Sequence, residues 1–368
     1  MRTVFYILFA LMAALPAGAK SSDKSQNDLP KDPRALLAAA APYYDFSSPE
    51  LKPWHLKATY QLFDESGKPT EQGTFEYWWA SPTVNHATWK RKDASESDWT
   101  TDKGVFTEIE TGDGADYYEH ALARELLAPL PNANEYAIAN AGLKTQHLKK
   151  NNADIECVMV VPRKVGYDFL IPISMGLFPT YCLEPRLDLL LASYSAGGLT
   201  VNFPQVVRTQ GLYLAKQIEL TERGRMVLTA AVVQVDAVSA SDAAFTPPAD
   251  ARLVVPAENL GKSSRELPKS GRSVSLGAGV AAGMLVHQVI PVYPPDARRA
   301  NVQGTVVLDA TIGKDGAVHD LRTVSTPSVL LLESAMFAVS QWTYRPYLLN
   351  GKPVQVKTTI NVIFTLSR

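Results

Sequence analysis

The chain has 368 residues, of which 46% are hydrophobic and 20% charged, so it can bury a core and is not globally disordered. Lysines and arginines number 36 and aspartates and glutamates 37, a formal net charge of -1. A dedicated nucleic-acid binder needs a basic excess, so this balance argues against that function. Two cysteines, Cys157 and Cys182, cannot supply a four-cysteine zinc site or a disulfide-rich scaffold.

The N-terminus has the pattern of an export signal. Arg2 supplies positive charge, an apolar stretch follows from Val4 to Leu15, and residues 17–19 are small enough for cleavage. The apolar stretch is short for a membrane-spanning helix. We therefore predict a signal peptide at residues 1–19, a polar segment at 20–45 and a periplasmic location, with an uncleaved inner-membrane anchor as the alternative.

Export places both cysteines in an oxidising compartment, where disulfides persist. A bridge between Cys157 and Cys182 is therefore one expectation, and two separate buried thiols are the other, because sequence gives no distance.

Residues 46–255 have the pattern of a large, mostly antiparallel sheet. Leu56, Ala58 and Tyr60 alternate with polar residues, and turn clusters separate successive segments. One helix is predicted at 117–127. Strands are predicted at 55–63, 73–79, 86–91, 104–111, 155–161, 179–184, 187–194, 213–220 and 225–238.

Residues 256–283 are rich in Gly, Ser, Pro and Ala, which predicts a flexible linker. The last segment, 284–368, predicts a strand at 304–312, a hairpin turn at 313–316 and a return strand at 318–325 with a bulge near His319 and Asp320. A helix opening at Thr326-Pro327 and ending at Pro346 follows, and then a strand at 354–366. The fold class is thus α+β, a half-barrel-like sheet domain followed by a small ββαβ domain.

This last segment also resembles the C-terminal domain of TonB-family energy transducers. The matching stretches are PVYPPDARRA at 291–300, VQGTV at 302–306, KDG at 314–316, AVSQWTYRP at 338–346 and NGKPV at 350–354. They come in the family's order and spacing over about the last quarter of the chain.

The resemblance implies a partner-binding domain in the periplasm. In this family an outer-membrane receptor supplies a short extended segment, which adds to the domain's last strand by main-chain hydrogen bonds. The family also uses residues just ahead of its Tyr-Pro motif, here Tyr293-Pro294, although these two residues could instead only pin the chain to the sheet. The partner-binding residues implied are Gln288, Val289, Ile290, Pro291, Tyr293, Pro294, Lys357, Thr359 and Asn361.

The chain departs from the family pattern ahead of this domain. Family transducers have an uncleaved N-terminal helix and a proline-rich spacer, whereas a sheet domain is predicted here. Inner-membrane motor proteins are therefore expected as partners only if the N-terminus is uncleaved.

The strand hairpins of the first domain, with Glu156-Cys157 and the stretch YCLE at 181–184, resemble more weakly the periplasmic lipoprotein carriers. These carriers are half-barrels around one helix that bind acyl chains. Trp78, Trp79 and Trp89 are candidates for lining an apolar ligand cavity, and packing in the core is the alternative.

Catalytic motifs are missing from the sequence. The six histidines show no metal-ligand spacing and there is no Gly-x-Ser-x-Gly elbow, so we predict neither an enzyme nor a metal or cofactor site. The predicted function is a periplasmic TonB-like protein that contacts outer-membrane transporters, or another periplasmic protein, by strand addition in energised uptake. The alternative is a lipid or lipoprotein carrier whose C-terminal domain only targets it.

Overall fold

The computed structural model describes residues 30–131, 141–150, 153–162, 175–195, 198–257, 274–275 and 283–366. The predicted signal peptide and most of the predicted linker lie outside these ranges. No helix within them is long and apolar enough to cross a membrane.

The first domain combines helices α1 (Pro33–Ala40) and α2 (Tyr117–Leu127) with a long series of strands. Short 3-10 turns lie at Ala41–Tyr44 and Ala243–Phe245. The strands are β1 (Trp54–Phe63), β2 (Pro69–Ser81), β3 (Val84–Arg91), β4 (Ala94–Thr101), β5 (Gly104–Thr111), β6 (Ala141–Lys150), β7 (Ala153–Pro162), β8 (Thr180–Glu184), β9 (Leu189–Tyr194), β10 (Leu199–Thr209), β11 (Leu212–Glu222), β12 (Arg225–Ala237) and β13 (Arg252–Pro256).

These strands form one antiparallel sheet that does not close into a barrel. Its order is β13-β5-β4-β3-β2-β1-β12-β11-β10-β9-β8-β7-β6, so β1 pairs with β12 in the interior and β13 and β6 lie at the two edges. The predicted large, mostly antiparallel sheet is confirmed.

The core of this domain lies between α2 and one face of the sheet. Leu56 and Ala58 of β1 and Leu122 of α2 are fully buried in it. Helix α2 starts with a capping box, in which Asp116 and Glu119 each accept a hydrogen bond from the other's backbone N–H. The side chains of α1 also enter this core, although α1 precedes residue 46, where the sheet domain was predicted to begin.

The C-terminal domain contains a short helix α3 (Pro295–Arg299) and a longer helix α4 (Val329–Val339). Its strands are β15 (Leu285–His287), β16 (Gly304–Ile312), β17 (Val318–Ser325), β18 (Thr343–Tyr344), β19 (Tyr347–Leu349), β20 (Lys352–Val354) and β21 (Val356–Phe364). The main sheet has the order β14-β21-β16-β17, in which β14 (Val274–Ser275) is a two-residue strand from the predicted linker.

The β16–β17 hairpin contains the predicted bulge. Thr311 pairs with His319 and Asp309 pairs with Arg322, so β17 has one extra residue between the two pairs. Asp320 takes a left-handed backbone conformation at this point, with φ 46°.

The boundaries of α4 and of the last strand differ from the predicted ones. Helix α4 begins after Ser328, whose hydroxyl caps Leu330 N–H at 3.2 Å, and not at Thr326-Pro327. It ends at Val339, well before Pro346, because the chain turns there into β18 to pair with β15. The predicted strand at 354–366 corresponds to β21 (Val356–Phe364), because Val354 belongs instead to β20, which pairs with β19 across the left-handed turn at Asn350-Gly351.

The two domains pack against each other. Met159, Val161, Leu177 and Phe178 of the first domain belong to the same buried apolar cluster as the core of the C-terminal domain. Lys314 Nζ in the β16–β17 turn also donates to the carbonyl of Ala115 at 3.1 Å. The first domain therefore completes one side of the C-terminal core.

Candidate functional site

The outer edge of β21 is the candidate docking strand. On its inner side β21 pairs with β16 along its whole length, from Val356 opposite Ile312 to Phe364 opposite Gly304. On its outer side β14 pairs in parallel with Val356 and Lys357. Among the described residues, no strand pairs with the outer side of 358–364, so this stretch can accept a further strand.

Side chains along β21 alternate between core and solvent. Val356, Ile360 and Phe364 are buried, whereas Lys357 and Asn361 are exposed. The Thr359 hydroxyl on the solvent face donates to Asp309 Oδ1 of β16 at 3.0 Å. The structure therefore places the three predicted edge residues, Lys357, Thr359 and Asn361, on the solvent-facing side of β21.

Ile363 also lies on this outward face and is 69% exposed. It was not among the predicted partner residues, although its position two residues after Asn361 is the signal that could have found it.

The second group of predicted partner residues forms an extended segment along α4. Trp342 Nε1 donates to the Val289 carbonyl at 2.8 Å, and Ser334 Oγ donates to the Val292 carbonyl at 2.5 Å. These bonds fix the backbone, while Gln288 and Ile290 remain exposed.

Tyr293 and Pro294 have structural contacts of their own. The Tyr293 hydroxyl donates to the Val302 carbonyl at 2.5 Å, and its ring packs edge-on against Phe364 at 5.5 Å between centroids. Pro294 is the N-cap of α3. Tyr293 thus anchors the C-terminal part of the extended segment beside Phe364 at the end of β21.

Phe337 adds an apolar side chain that was not among the predicted partner residues. It lies on α4, one turn after Ser334, and is 72% exposed. With Ile290 and Val292, which are also highly exposed, it forms an apolar surface around the anchored segment.

The three tryptophans predicted to line a cavity lie on both faces of the first domain's sheet. Trp79 and Trp89 are each 1% exposed and belong to the core, where Trp89 Nε1 donates to the Glu119 carbonyl at 3.1 Å. Trp78 lies on the opposite face, stacked between His55 and His86 at 4.5 and 4.7 Å. They therefore do not line one common cavity.

Charged groups buried in the first domain hold α2 to the sheet. The Tyr60 hydroxyl donates to Glu119 Oε1, and Arg91 Nε lies 3.3 Å from the same oxygen. Burial raises the pKa of Glu119 to about 7, with the nearby Asp116 carboxylate adding to the effect. No group of three or more His, Cys, Asp or Glu side chains in the described ranges is arranged to hold a metal ion.

The two cysteines lie directly opposite each other on β7 and β8, and their sulfurs are bonded in a disulfide.

The sequence of the C-terminal domain matches a known family. Residues 290–366 match the family model described as the Gram-negative bacterial TonB protein C-terminal. This part of the chain is similar to the TonB C-terminal domain. The "Protein TonB" of Vibrio cholerae serotype O1 is 32% identical over 80 residues, which is 22% of this chain and 33% of that protein. The TonB-like domain thus spans about a third of the curated relative that it matches.

Solved structures resemble the chain at low sequence identity. A DUF1329 family protein from Desulfovibrio piger has 12% identity and a TM-score of 0.38, and covers 58% of this chain and 95% of its own. A putative outer membrane lipoprotein-sorting protein domain from Vibrio parahaemolyticus has 10% identity and a TM-score of 0.34, with coverages of 56% and 93%. A LolA superfamily protein from Nitrosomonas europaea has 8% identity and a TM-score of 0.35, with coverages of 58% and 97%. Values this low support no transfer of function.

Proposed function

We propose that this chain is a periplasmic adaptor whose TonB-like domain binds an outer-membrane receptor, or another periplasmic protein, by strand addition to β21. The observation that supports it best is the outer edge of β21 at 358–364, which has no strand partner among the described residues. An unpaired edge of this kind offers main-chain hydrogen bonds to an extended peptide.

The side chains around this edge suit such a partner. Asn361 and Ile363 would meet alternate side chains of an added strand, so they would help to set its register. The exposed side chains of Gln288 and Ile290 are a second candidate surface for contact with the partner, separate from the added strand.

The experiment is a cysteine crosslinking scan. Asn361→Cys in the full chain is oxidised with synthetic peptides that copy a periplasm-facing extended segment of a TonB-dependent receptor, each with one cysteine. We expect crosslinking to rise and fall with a period of two residues along the peptide, because side chains of an added strand alternate.

The matched control is Thr305→Cys, which is exposed on the outward face of β16 opposite Ile363 but one strand away from the edge. Uniformly weak crosslinking of Asn361→Cys, or equal crosslinking of both variants, would contradict strand addition at β21.

The carrier alternative has no support from the first domain's tryptophans. Trp79 and Trp89 are packed in the core, and a carrier needs an open apolar cavity. The proposal assigns no catalytic role to the chain. Contact with inner-membrane motor proteins depends on residues 1–29, which lie outside the described ranges.

A further inference from the structure

One buried charged cluster lies between the two domains and has no part in strand addition. Its centre is His319 of β17, which is 5% exposed. The bulge at Asp320 follows His319 directly, and the His319 ring reaches residues of the first domain.

Each ring nitrogen of His319 faces a carboxylate. Nδ1 lies 3.3 Å from Glu222 Oε1 in the first domain, and Nε2 lies 3.4 Å from Asp315 Oδ2 in the C-terminal domain. A doubly protonated imidazole has two N–H donors, so it satisfies both carboxylates at once.

Aromatic side chains of α2 enclose the same ring. Tyr117 stacks on His319 at 4.5 Å with 15° between the planes, and Tyr118 packs edge-on at 5.8 Å. The Tyr118 hydroxyl also donates to Glu222 Oε2 at 3.0 Å. Both oxygens of the buried Glu222 carboxylate therefore have partners, and one of them comes from the other domain.

The electrostatic balance favours a charged histidine here. Burial alone would lower the pKa of His319, but the hydrogen bonds to Asp315 and Glu222 outweigh it and raise the pKa from 6.5 to about 9. The charged and titratable groups around the ring, by element, are Asp116, Tyr117 and Tyr118 of the α2 region, Glu222 and Arg223 at the β11–β12 turn, and Lys314, Asp315 and Asp320 of the β16–β17 hairpin.

We propose that His319, Glu222 and Asp315 form an interdomain clasp, an ion-pair cluster that holds the two domains together as one rigid unit. The clasp lies on β17, at the edge of the sheet opposite to β21. The apolar residues Met159 and Phe178 fill the interface, and the ion pairs of protonated His319 keep the interface closed. When His319 loses its proton, the buried Glu222 carboxylate loses its charged partner from the other domain, the exposed Asp315 carboxylate loses the same partner, and the domains separate. This inference does not depend on receptor binding.

The experiment compares full-length variants by small-angle X-ray scattering and calorimetry at pH 7. We expect the unmodified chain to have one compact envelope and one unfolding transition. His319→Gln and Glu222→Gln should each increase the maximum dimension and split the transition in two, and the double variant should open no further than either single one. The control is His287→Gln in the exposed strand β15, which should behave like the unmodified chain.

A titration of the unmodified chain provides a test without any substitution. Because the pKa of His319 is raised in the folded state, its contribution is fully present below pH 6.5 and is lost as the pH rises through about 9. We expect the maximum dimension to increase between pH 8 and 10 while far-ultraviolet circular dichroism stays constant. Compact dimensions at pH 10, or a compact His319→Gln chain with one transition at pH 7, would overturn the proposal.

Discussion

At the residue scale, Trp78 and Trp79 are adjacent and identical residues of one strand whose side chains lie in different environments. Trp79 is in the core, whereas Trp78 lies on the other face between two histidine rings. The period of two along β2 was evident from the sequence and correctly puts the pair on opposite faces. Which face holds the core depends on the register with neighbouring strands, and that was not evident.

Substitution should separate the two tryptophans. We expect Trp79→Ala to lower the free energy of unfolding by about 3–5 kcal/mol, because it leaves a large cavity in the core. Trp78→Ala should cost clearly less, since Trp78 is only half-buried. Urea unfolding curves measure both values, and equal losses would contradict this assignment of faces.

At the element scale, periodicity together with turn signals was enough to predict many boundaries. The strands Gly104–Thr111, Gly304–Ile312 and Val318–Ser325 and the helix Tyr117–Leu127 match their predicted ranges. Strand β4 was missed because its polar residues are buried and lack an apolar alternation. Contacts distant in sequence satisfy them, since Glu96 Oε2 accepts from Ala115 N–H at 2.8 Å and Ser97 Oγ donates to Thr88 Oγ1 at 2.9 Å.

The disulfide between β7 and β8 should stabilise the part of the sheet that supports the domain interface. Met159 lies two residues after Cys157, and Phe178 lies shortly before Cys182. We expect the double variant Cys157→Ala/Cys182→Ala to lower the free energy of unfolding by about 2–4 kcal/mol, because the bridge restricts the unfolded chain. Denaturation by guanidinium is the measurement. Reducing agent should destabilise the unmodified chain but not the variant, and an unchanged midpoint in both cases would refute this role.

At the scale of the whole molecule, the sequence predicted two domains and a tether but not their contact. Among the described residues, the first domain contributes Met159, Val161, Leu177 and Phe178 to the interface, and these form no periodic pattern in the sequence. His319 and Glu222 are 97 residues apart in sequence, so their pairing could not be predicted from local spacing. The β21 edge was predictable as a candidate site because its pattern is local in sequence. Its position relative to the first domain was not predictable, because that depends on contacts between residues far apart in sequence.

Cutting the linker should leave the domains associated. We expect a chain with a protease site in place of residues 262–268 to elute as one species in size-exclusion chromatography after cleavage, because buried apolar and charged contacts join the halves. The same cleaved chain with His319→Gln should elute as two species. Separation of the halves in both chains would show that the interface depends on the linker.

Strand β14 limits how much of a guest peptide the β21 edge can take. Its residues Val274 and Ser275 already pair with Val356 and Lys357, so an added peptide cannot pair with these two residues while β14 is in place. Among the described residues, the stretch of this edge without a strand partner is 358–364. A longer peptide must either end at that point or displace β14. Affinity should therefore increase with peptide length up to about seven residues and then level off.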